Sequence, residues 1–270
     1  MIEVQRPGEA VFISDLHLAD PETPEAKRLL RFVQSLAHRP VSSLFLVGDI
    51  FDFWLGYSGA IYSQFFPFLR ALAELVEAGV EVVLFPGNHD PDPGPFFDQI
   101  GVRVQHTPLV RRFGERQVWI DHGDREDVRG SFKRFVCRAV HQPTLLKGAR
   151  AIHPSAAAWA AGAYGRWLGG EDRTADYTLP LPEHHLDAWW QSKIEQGHEV
   201  LVMGHYHKAL ARQRDHQGRS QSLFILGDWL NHFTWLRYHE GEFTLMRDQG
   251  PDQPAQPLGW GLHPLPTMPG

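Results

Sequence analysis

Five short apolar runs in this chain stop at side chains able to ligate a metal, and this repeated ending constrains the fold more than any other feature. Val11-Phe12-Ile13-Ser14 runs into Asp15-Leu16-His17, and Leu44-Phe45-Leu46-Val47-Gly48 runs into Asp49. Val82-Val83-Leu84-Phe85 leads through Pro86-Gly87 to Asn88-His89-Asp90. Val118-Trp119-Ile120 leads to Asp121-His122-Gly123-Asp124, and Val200-Leu201-Val202-Met203 to Gly204-His205-Tyr206-His207. Apolar runs of this length bounded by glycine read as buried strands. Ligands of α/β sheets bind beyond the carboxyl ends of strands. The pattern therefore predicts one sheet rim that gathers Asp, His and Asn from distant parts of the chain.

Between these runs the periodicity changes to that of helices. Leu29, Leu30, Phe32, Val33 and Leu36 give an apolar stripe to a helix from Pro24 to Ala37, with Thr23 as N-cap and Pro24 in the first turn. A second helix is predicted from Ile61 to Ala78, closed by Gly79. The order β-α-β-α-β implies a parallel sheet. Beyond Asn88 the pattern predicts a short helix after Pro95, strands near 102–105, 109–113 and 118–120, and an alanine-rich helical stretch from Ser131 to Trp167. A helix at 183–196 and strands at 200–203, 209–214, 222–226, 234–238 and 243–246 complete the reading. Residues 1–250 are expected to form a single domain with a helical insertion at about 130–180. Residues 251–270, rich in Pro and Gly, are expected to be an extended or partly disordered tail.

Charge and cysteine content exclude several classes. A net charge of −6 over 270 residues argues against a general nucleic-acid binder. The single cysteine, Cys137, rules out an internal disulfide framework and reads as a small buried apolar residue. No signal peptide is visible, and no apolar stretch approaches the roughly 20 residues of a membrane span. The expected location is the cytoplasm, with peripheral attachment to the inner face of the membrane as the alternative.

Asp15, His17, Asp49, Asn88, His122, His205 and His207 offer oxygen and imidazole donors with no thiolate. Such a set suits Mn2+, Fe or Zn2+ better than Ca2+ or a structural zinc site. Seven donors are too many for one tetrahedral ion and fit two divalent transition metals, with Asp49, from a central strand, as the bridging carboxylate. Two ions roughly 3.5–4 Å apart can clamp a phosphoryl group and activate water.

These blocks resemble the signature motifs of the calcineurin-like metallophosphoesterase superfamily, from about residue 11 to 207. The resemblance implies an α/β fold of the four-layer αββα sandwich type. By position it implies Asp15, His17, Asp49 and His207 around one metal, most commonly Mn2+, and Asp49, Asn88, His122 and His205 around the other. His89 matches a residue that in many members acts as a general acid or contacts phosphate, and His205 is expected to help stabilise developing charge. Asp90 either orients the His89 ring or stabilises its own loop. The longer run Gly48-Asp49-Ile50-Phe51-Asp52-Phe53-Trp54, with Leu226-Gly227-Asp228-Trp229, resembles the UDP-2,3-diacylglucosamine pyrophosphatases of lipid A biosynthesis. That narrower resemblance implies an anionic nucleotide-lipid substrate cleaved to UMP and a lipid sugar phosphate. Phe51, Phe53 and Trp54 read equally well as core packing. One position departs: those pyrophosphatases often carry Arg where this chain has His89. A phosphoanhydride expels a phosphate that needs little protonation, whereas a phosphoester expels an alkoxide that benefits from an acid. His89 therefore leaves other phosphomonoesters or phosphodiesters open as substrates.

Residues 131–170 carry six basic side chains (Lys133, Arg134, Arg138, Lys147, Arg150 and Arg166) and no acidic ones, interleaved with Phe132, Phe135, Trp159 and Trp167. A basic, apolar helical insertion in an acidic chain reads as a lid that packs acyl chains and attracts phosphate. Its alternative is a helical cap with a solvated basic face. Asn88, His89, Lys133, Arg134, Lys147 and Arg150 are the expected substrate-binding residues.

Overall fold

The strands are apolar on both faces because both faces are covered. A computed structural model describes residues 3–4, 6–126, 142–150, 153, 180–251 and 253–263. In chain order the elements are β1 (Glu3–Val4), β2 (Glu9–Ile13), α1 (Pro24–Leu36), β3 (Val41–Val47), α2 (Phe66–Glu77), β4 (Glu81–Phe85), α3 (Phe96–Gln99), β5 (Arg103–Val104), β6 (Leu109–Phe113) and β7 (Arg116–Ile120). They continue with α4 (Pro143–Ala149), α5 (Glu183–Glu195), β8 (Val200–Met203), β9 (Ala209–His216), β10 (Arg219–Leu226), β11 (Thr234–His239), β12 (Glu242–Arg247), β13 (Gln256–Pro257) and β14 (Gly261–His263).

Among the described residues these strands form two seven-stranded sheets, ordered β13-β12-β11-β2-β3-β4-β5 and β1-β6-β7-β8-β10-β9-β14. The twofold alternation of strand side chains distributes each strand between two cores. Val11, Ile13, Leu44, Leu46, Val82 and Leu84 face α1 and α2, meeting Leu29, Val33, Leu36, Leu69 and Leu72. Their neighbours Phe12, Phe45, Val47, Val83 and Phe85 face the second sheet, meeting Val118, Ile120, Val200, Val202 and Phe224. The far face of the second sheet carries Trp119, Leu201, Met203, Leu223 and Ile225 against Leu186, Trp190 and Ile194 of α5. The layers are therefore helix, sheet, sheet, helix, the four-layer α/β sandwich. β2 to β5 run parallel, as do β7, β8 and β10. Within each sheet, parallel strands deliver their carboxyl ends to a common rim.

Local signals place most elements where periodicity puts them. Thr23 caps α1, its hydroxyl accepting from Ala26 N at 3.2 Å. The hairpins β9–β10 and β11–β12 turn on Gln217-Gly218 and Glu240-Gly241, all four at positive φ, as two-residue hairpin turns require.

Two expectations need correction. α2 starts at Phe66 rather than Ile61, because Pro67 lacks the N–H that a helix interior needs and is tolerated only in the first turn. The tail is not a loose appendage over its described part. β13 pairs with β12, and β14 pairs with β9, so residues 256–263 add an edge strand to each sheet. No helix among the described residues is long and apolar enough to cross a membrane. Most of the basic insertion, including Lys133, Arg134 and Cys137, lies outside the described residues.

Candidate metal centre

The carboxyl ends of β2, β3, β7 and β8 bring six of the seven predicted donors into overlapping groups. Asp15, His17 and His207 place donor atoms within 4.8 Å of one another, as do Asp49, His122 and His205. A third group, His17, Asp49 and His89, overlaps both, which puts Asp49 between the two halves. His17 Nε2 and His207 Nε2 lie 3.1 Å apart, and His207 Nε2 lies 3.4 Å from Asp15 Oδ1. Asp49 Oδ2 lies 3.3 Å from His122 Nε2 and 3.8 Å from His17 Nε2. Asp15, Asp49, His122, His17 and His205 are all buried.

Two glycines allow this convergence. Gly48 has φ +79°, and a Cβ there would stand 2.4 Å from the His122 ring. At Gly204 a Cβ would stand 2.5 Å from Asp15 Oδ2 and nearer still to Ser14 Oγ. The Gly-Asp and Gly-His motifs are thus the points where the two sheets' loops interleave.

The backbone at the rim is itself unusual. Asp15, His17, Asp49, His205 and His207 all have φ between 45° and 67°, five of the eight non-glycine residues with positive φ among those described. Each left-handed residue costs roughly 1 kcal/mol or more, so the five together cost about 5 kcal/mol, a large share of the roughly 5–15 kcal/mol that stabilises a domain. Hydrogen bonds between the loops oppose that cost. Asp15 N donates to Gly48 O (3.1 Å), Leu16 N and His17 N to Asp49 O (2.8 and 3.0 Å), and His205 N to the Asp15 carboxylate (3.0 and 3.1 Å to its two oxygens). Asp15 also hydrogen-bonds Ser14 Oγ, and Asp49 Oδ1 accepts from His89 N at 2.9 Å.

The donor chemistry fits cations. His122 Nδ1–H donates to Val47 O at 2.9 Å, which turns Nε2 toward the site. Asn88 Oδ1 is buried with no hydrogen-bond partner, and His122 Nε2 has only the 3.3 Å approach of the Asp49 carboxylate, the condition expected of metal ligands rather than of structural polar groups. Burial works against a charged Asp49, yet His122 and His89 hold its carboxyl well below the usual range. Burial would lower His122, but Asp49 outweighs it and holds the imidazole well above its ordinary value. Asp15 is raised, burial outweighing the charges of His207 and His122. Two carboxylates and four imidazoles in this space favour divalent cations that need no thiolate.

The rim also shows what the sequence reading missed. His89 Nδ1–H donates to Asp52 O at 2.9 Å, and the same nitrogen lies 4.0 Å from Asp52 Oδ1. Asp52 lies three residues beyond Asp49, inside the Gly48–Trp54 run, and nothing in that run marked its link to His89. Burial would lower His89, but Asp49, the Asp52 carbonyl and the Asp52 carboxylate raise it. Asp90 does not orient that ring. Its carboxylate is taken by four backbone amides, Gly87 N (2.7 Å) and Asp49 N (3.1 Å) on Oδ1, and Ile50 N (2.7 Å) and Phe51 N (3.3 Å) on Oδ2. Asp90 therefore shapes the loop that carries Asp49, a correction to its expected catalytic role.

Phe51 and Trp54 are core, packed on Phe65 and Phe97. Arg150, expected to grip phosphate, is ion-paired with Asp92 of the loop after Asn88. Lys147 lies in α4, and its side chain is outside the described residues. His232 is buried and bonded to Asp228.

Known proteins are similar to this chain. "UDP-2,3-diacylglucosamine hydrolase" of Porphyromonas gingivalis is 27% identical over 245 residues, covering 82% of this chain and 90% of that protein. The protein of the same description from Ralstonia nicotianae is 29% identical over 254 residues, covering 88% and 91%. Among solved structures, a dimetal phosphatase from Danio rerio covers 90% of this chain and 95% of its own at 13% identity, with a TM-score of 0.42. The profile of the calcineurin-like phosphoesterases matches residues 10–234, the span that holds all seven donors. The chain belongs to the calcineurin-like phosphoesterase family and is a metal-dependent hydrolase.

Proposed function

We propose that this hydrolase cleaves the pyrophosphate bond of UDP-2,3-diacylglucosamine, releasing UMP and 2,3-diacylglucosamine 1-phosphate, with Mn2+ as its metal. The observation that carries the reading is the convergence of Asp15, His17 and His207 with Asp49, His122 and His205 around one shared carboxylate. The relatives' descriptions supply the substrate. When bound, two divalent ions supply Lewis-acid polarisation of a phosphoryl oxygen and activation of water. Asp15, His17, Asp49 and His207 would hold one ion, and Asp49, Asn88, His122 and His205 the other.

The chain's own residues do the rest. His89 stands at the rim with its side chain 41% exposed, where it can reach a phosphate oxygen. Asp52 fixes its ring through Nδ1, which leaves Nε2 to present a proton to the phosphate or the leaving group. The surrounding carboxylates favour the protonated ring, and a charge-assisted hydrogen bond to phosphate is the stronger kind. The basic insertion, with Lys133, Arg134 and Lys147, would cover the acyl chains and attract the diphosphate. A substrate with acyl chains supports a cytoplasmic enzyme that works at the inner face of the membrane, and this location is part of the proposal.

A second reading rests on His89. A ring tuned toward its protonated form suits an alkoxide leaving group, hence a phosphomonoester or phosphodiester substrate. One experiment separates the two. UMP release from the lipid nucleotide is measured beside hydrolysis of a small chromogenic phosphoester, both with saturating Mn2+. The proposal expects Mn2+-dependent UMP release with the higher kcat/KM. Ester hydrolysis without UMP release from a fully metallated sample would replace it with the second reading.

A further inference from the structure

Behind the metal ligands lies a buried acid–imidazole pair that the reaction as described does not use. β10 ends at Leu226, and the turn that follows carries Asp228 and His232, 0% and 2% exposed. Asp228 Oδ1 accepts from Leu230 N (2.9 Å), Asn231 N (2.6 Å) and His232 N (3.2 Å). Its Oδ2 accepts from His232 Nδ1 at 2.7 Å. Four donors on one carboxylate are the coordination of an ionised acid held in place.

This turn touches the site. Trp229 N, the next backbone amide after Asp228, donates to Asp15 O at 3.2 Å. Asp15 N donates on its other side to Gly48 O at 3.1 Å. The left-handed Asp15, φ 54°, is thus held between the Gly48 loop and the Asp228 turn. The Asp228 carboxylate is also near enough to His207 for their charges to interact. Both residues addressed by the turn, Asp15 and His207, belong to the same donor group. Loss of outer partners that hold metal ligands in place typically costs about 10–100-fold in metal affinity.

We propose that Asp228, braced by His232, is a positioning residue for the Asp15–His17–His207 half of the metal centre and sets the affinity of that half for its ion. The inference rests on the dimetal reading of the site and says nothing of the substrate. It implies unequal effects: loss of Asp228 should weaken the half that holds Asp15 and His207 and spare the half that holds Asn88, His122 and His205.

The test uses Mn2+ alone. Metal-free wild type, Asp228→Asn and His232→Phe are titrated with Mn2+ by calorimetry, with thermal unfolding of each metal-free protein recorded alongside. Asp228→Asn keeps an oxygen for the three amides and removes the charge. His232→Phe keeps the turn and removes the imidazole N–H. One of two Mn2+ equivalents should weaken about 10–100-fold in Asp228→Asn and in the same direction in His232→Phe, with the other unchanged. Lower metal-free stability with both Mn2+ affinities within twofold of wild type would overturn the inference and leave the turn a purely structural feature. Should Asp228→Asn fail to fold, unchanged Mn2+ affinity in His232→Phe overturns it equally. A wild-type protein that takes up no Mn2+ would remove both the dimetal reading and this inference, whereas two tight wild-type sites unchanged in the variants would remove the inference alone.

Discussion

Substitution of Gly48 by alanine tests whether the two sheets' loops are as tightly interleaved as the geometry requires. The added Cβ would lie 2.4 Å from Cγ and Nδ1 of His122. That ring cannot swing aside freely, because Nδ1 donates to Val47 O at 2.9 Å and the side chain is wholly buried. Three costs follow: roughly 1 kcal/mol for a left-handed alanine, about 1 kcal/mol for the Val47 hydrogen bond if the ring yields, and about 1–3 kcal/mol for overpacking. The sum is about 4 kcal/mol, or on the order of 10 °C in melting temperature for a domain of this size. Gly79→Ala is the control. It shares the positive φ (+87° against +79°) but meets nothing within 4 Å, so it should lose only the first term, roughly 1 kcal/mol. Both variants are compared with wild type by calorimetry in chelator and by Mn2+ titration. Gly48→Ala should lose stability and the metal held by His122, while Gly79→Ala binds Mn2+ as wild type. Equal melting temperatures for the two variants, or two intact Mn2+ sites in Gly48→Ala, would refute the reasoning.

Three more perturbations address the frame. Arg111 is 3% exposed and grips Glu81 through two hydrogen bonds of 2.7 and 2.8 Å, joining β6 of one sheet to β4 of the other; Arg111→Ala leaves Glu81 with only the looser cations Arg6 at 3.6 Å and Arg103 at 3.9 Å and should cost about 3 kcal/mol in chemical denaturation, a loss below 1 kcal/mol contradicting this. Glu3 is held down to about 2 by its hydrogen bond to Arg103, against burial and with help from Arg111. A lowered carboxyl stabilises the fold above its unfolded value of 4.5 and loses that contribution as pH falls towards about 2, so Glu3→Gln should flatten the acid limb of stability between those values and leave its slope at pH 6–8 unchanged. Truncation after Gln249 removes β13 and β14 and bares the edges of β12 and β9; the shortened protein should self-associate in light scattering, since open strand edges template pairing, and a monodisperse monomer would speak against that role.

The candidate site was legible from sequence to the extent that it is built from strand ends. Parallel strands place their carboxyl ends on one rim whatever the loop lengths, so Asp15, Asp49, His122 and His207 could be grouped without knowing a single contact. Side chains that act through long-range contacts gave no such signal. Asp52 looks like any loop acid until the chain folds and sets its carbonyl against His89. Asp90 was read either as the partner of the adjacent ring or as a brace for its own loop, and only the fold brings four amides from two loops to its oxygens and decides for the loop. Asp228 was visible only within a motif, and its link to Asp15 runs through the backbone of Trp229. The tail misled for a related reason: strands of two and three residues carry no periodicity of their own and exist because β12 and β9 offer free edges.

The central claim is that Asp49 joins two cation sites. Anomalous diffraction from crystals of the Mn2+-loaded protein, collected at the manganese edge, addresses it directly. The account predicts two peaks roughly 3.5–4 Å apart, one against Asp15, His17 and His207, the other against Asn88, His122 and His205, with Asp49 reaching both. A single peak, or a pair that leaves Asp49 uncoordinated, would contradict it.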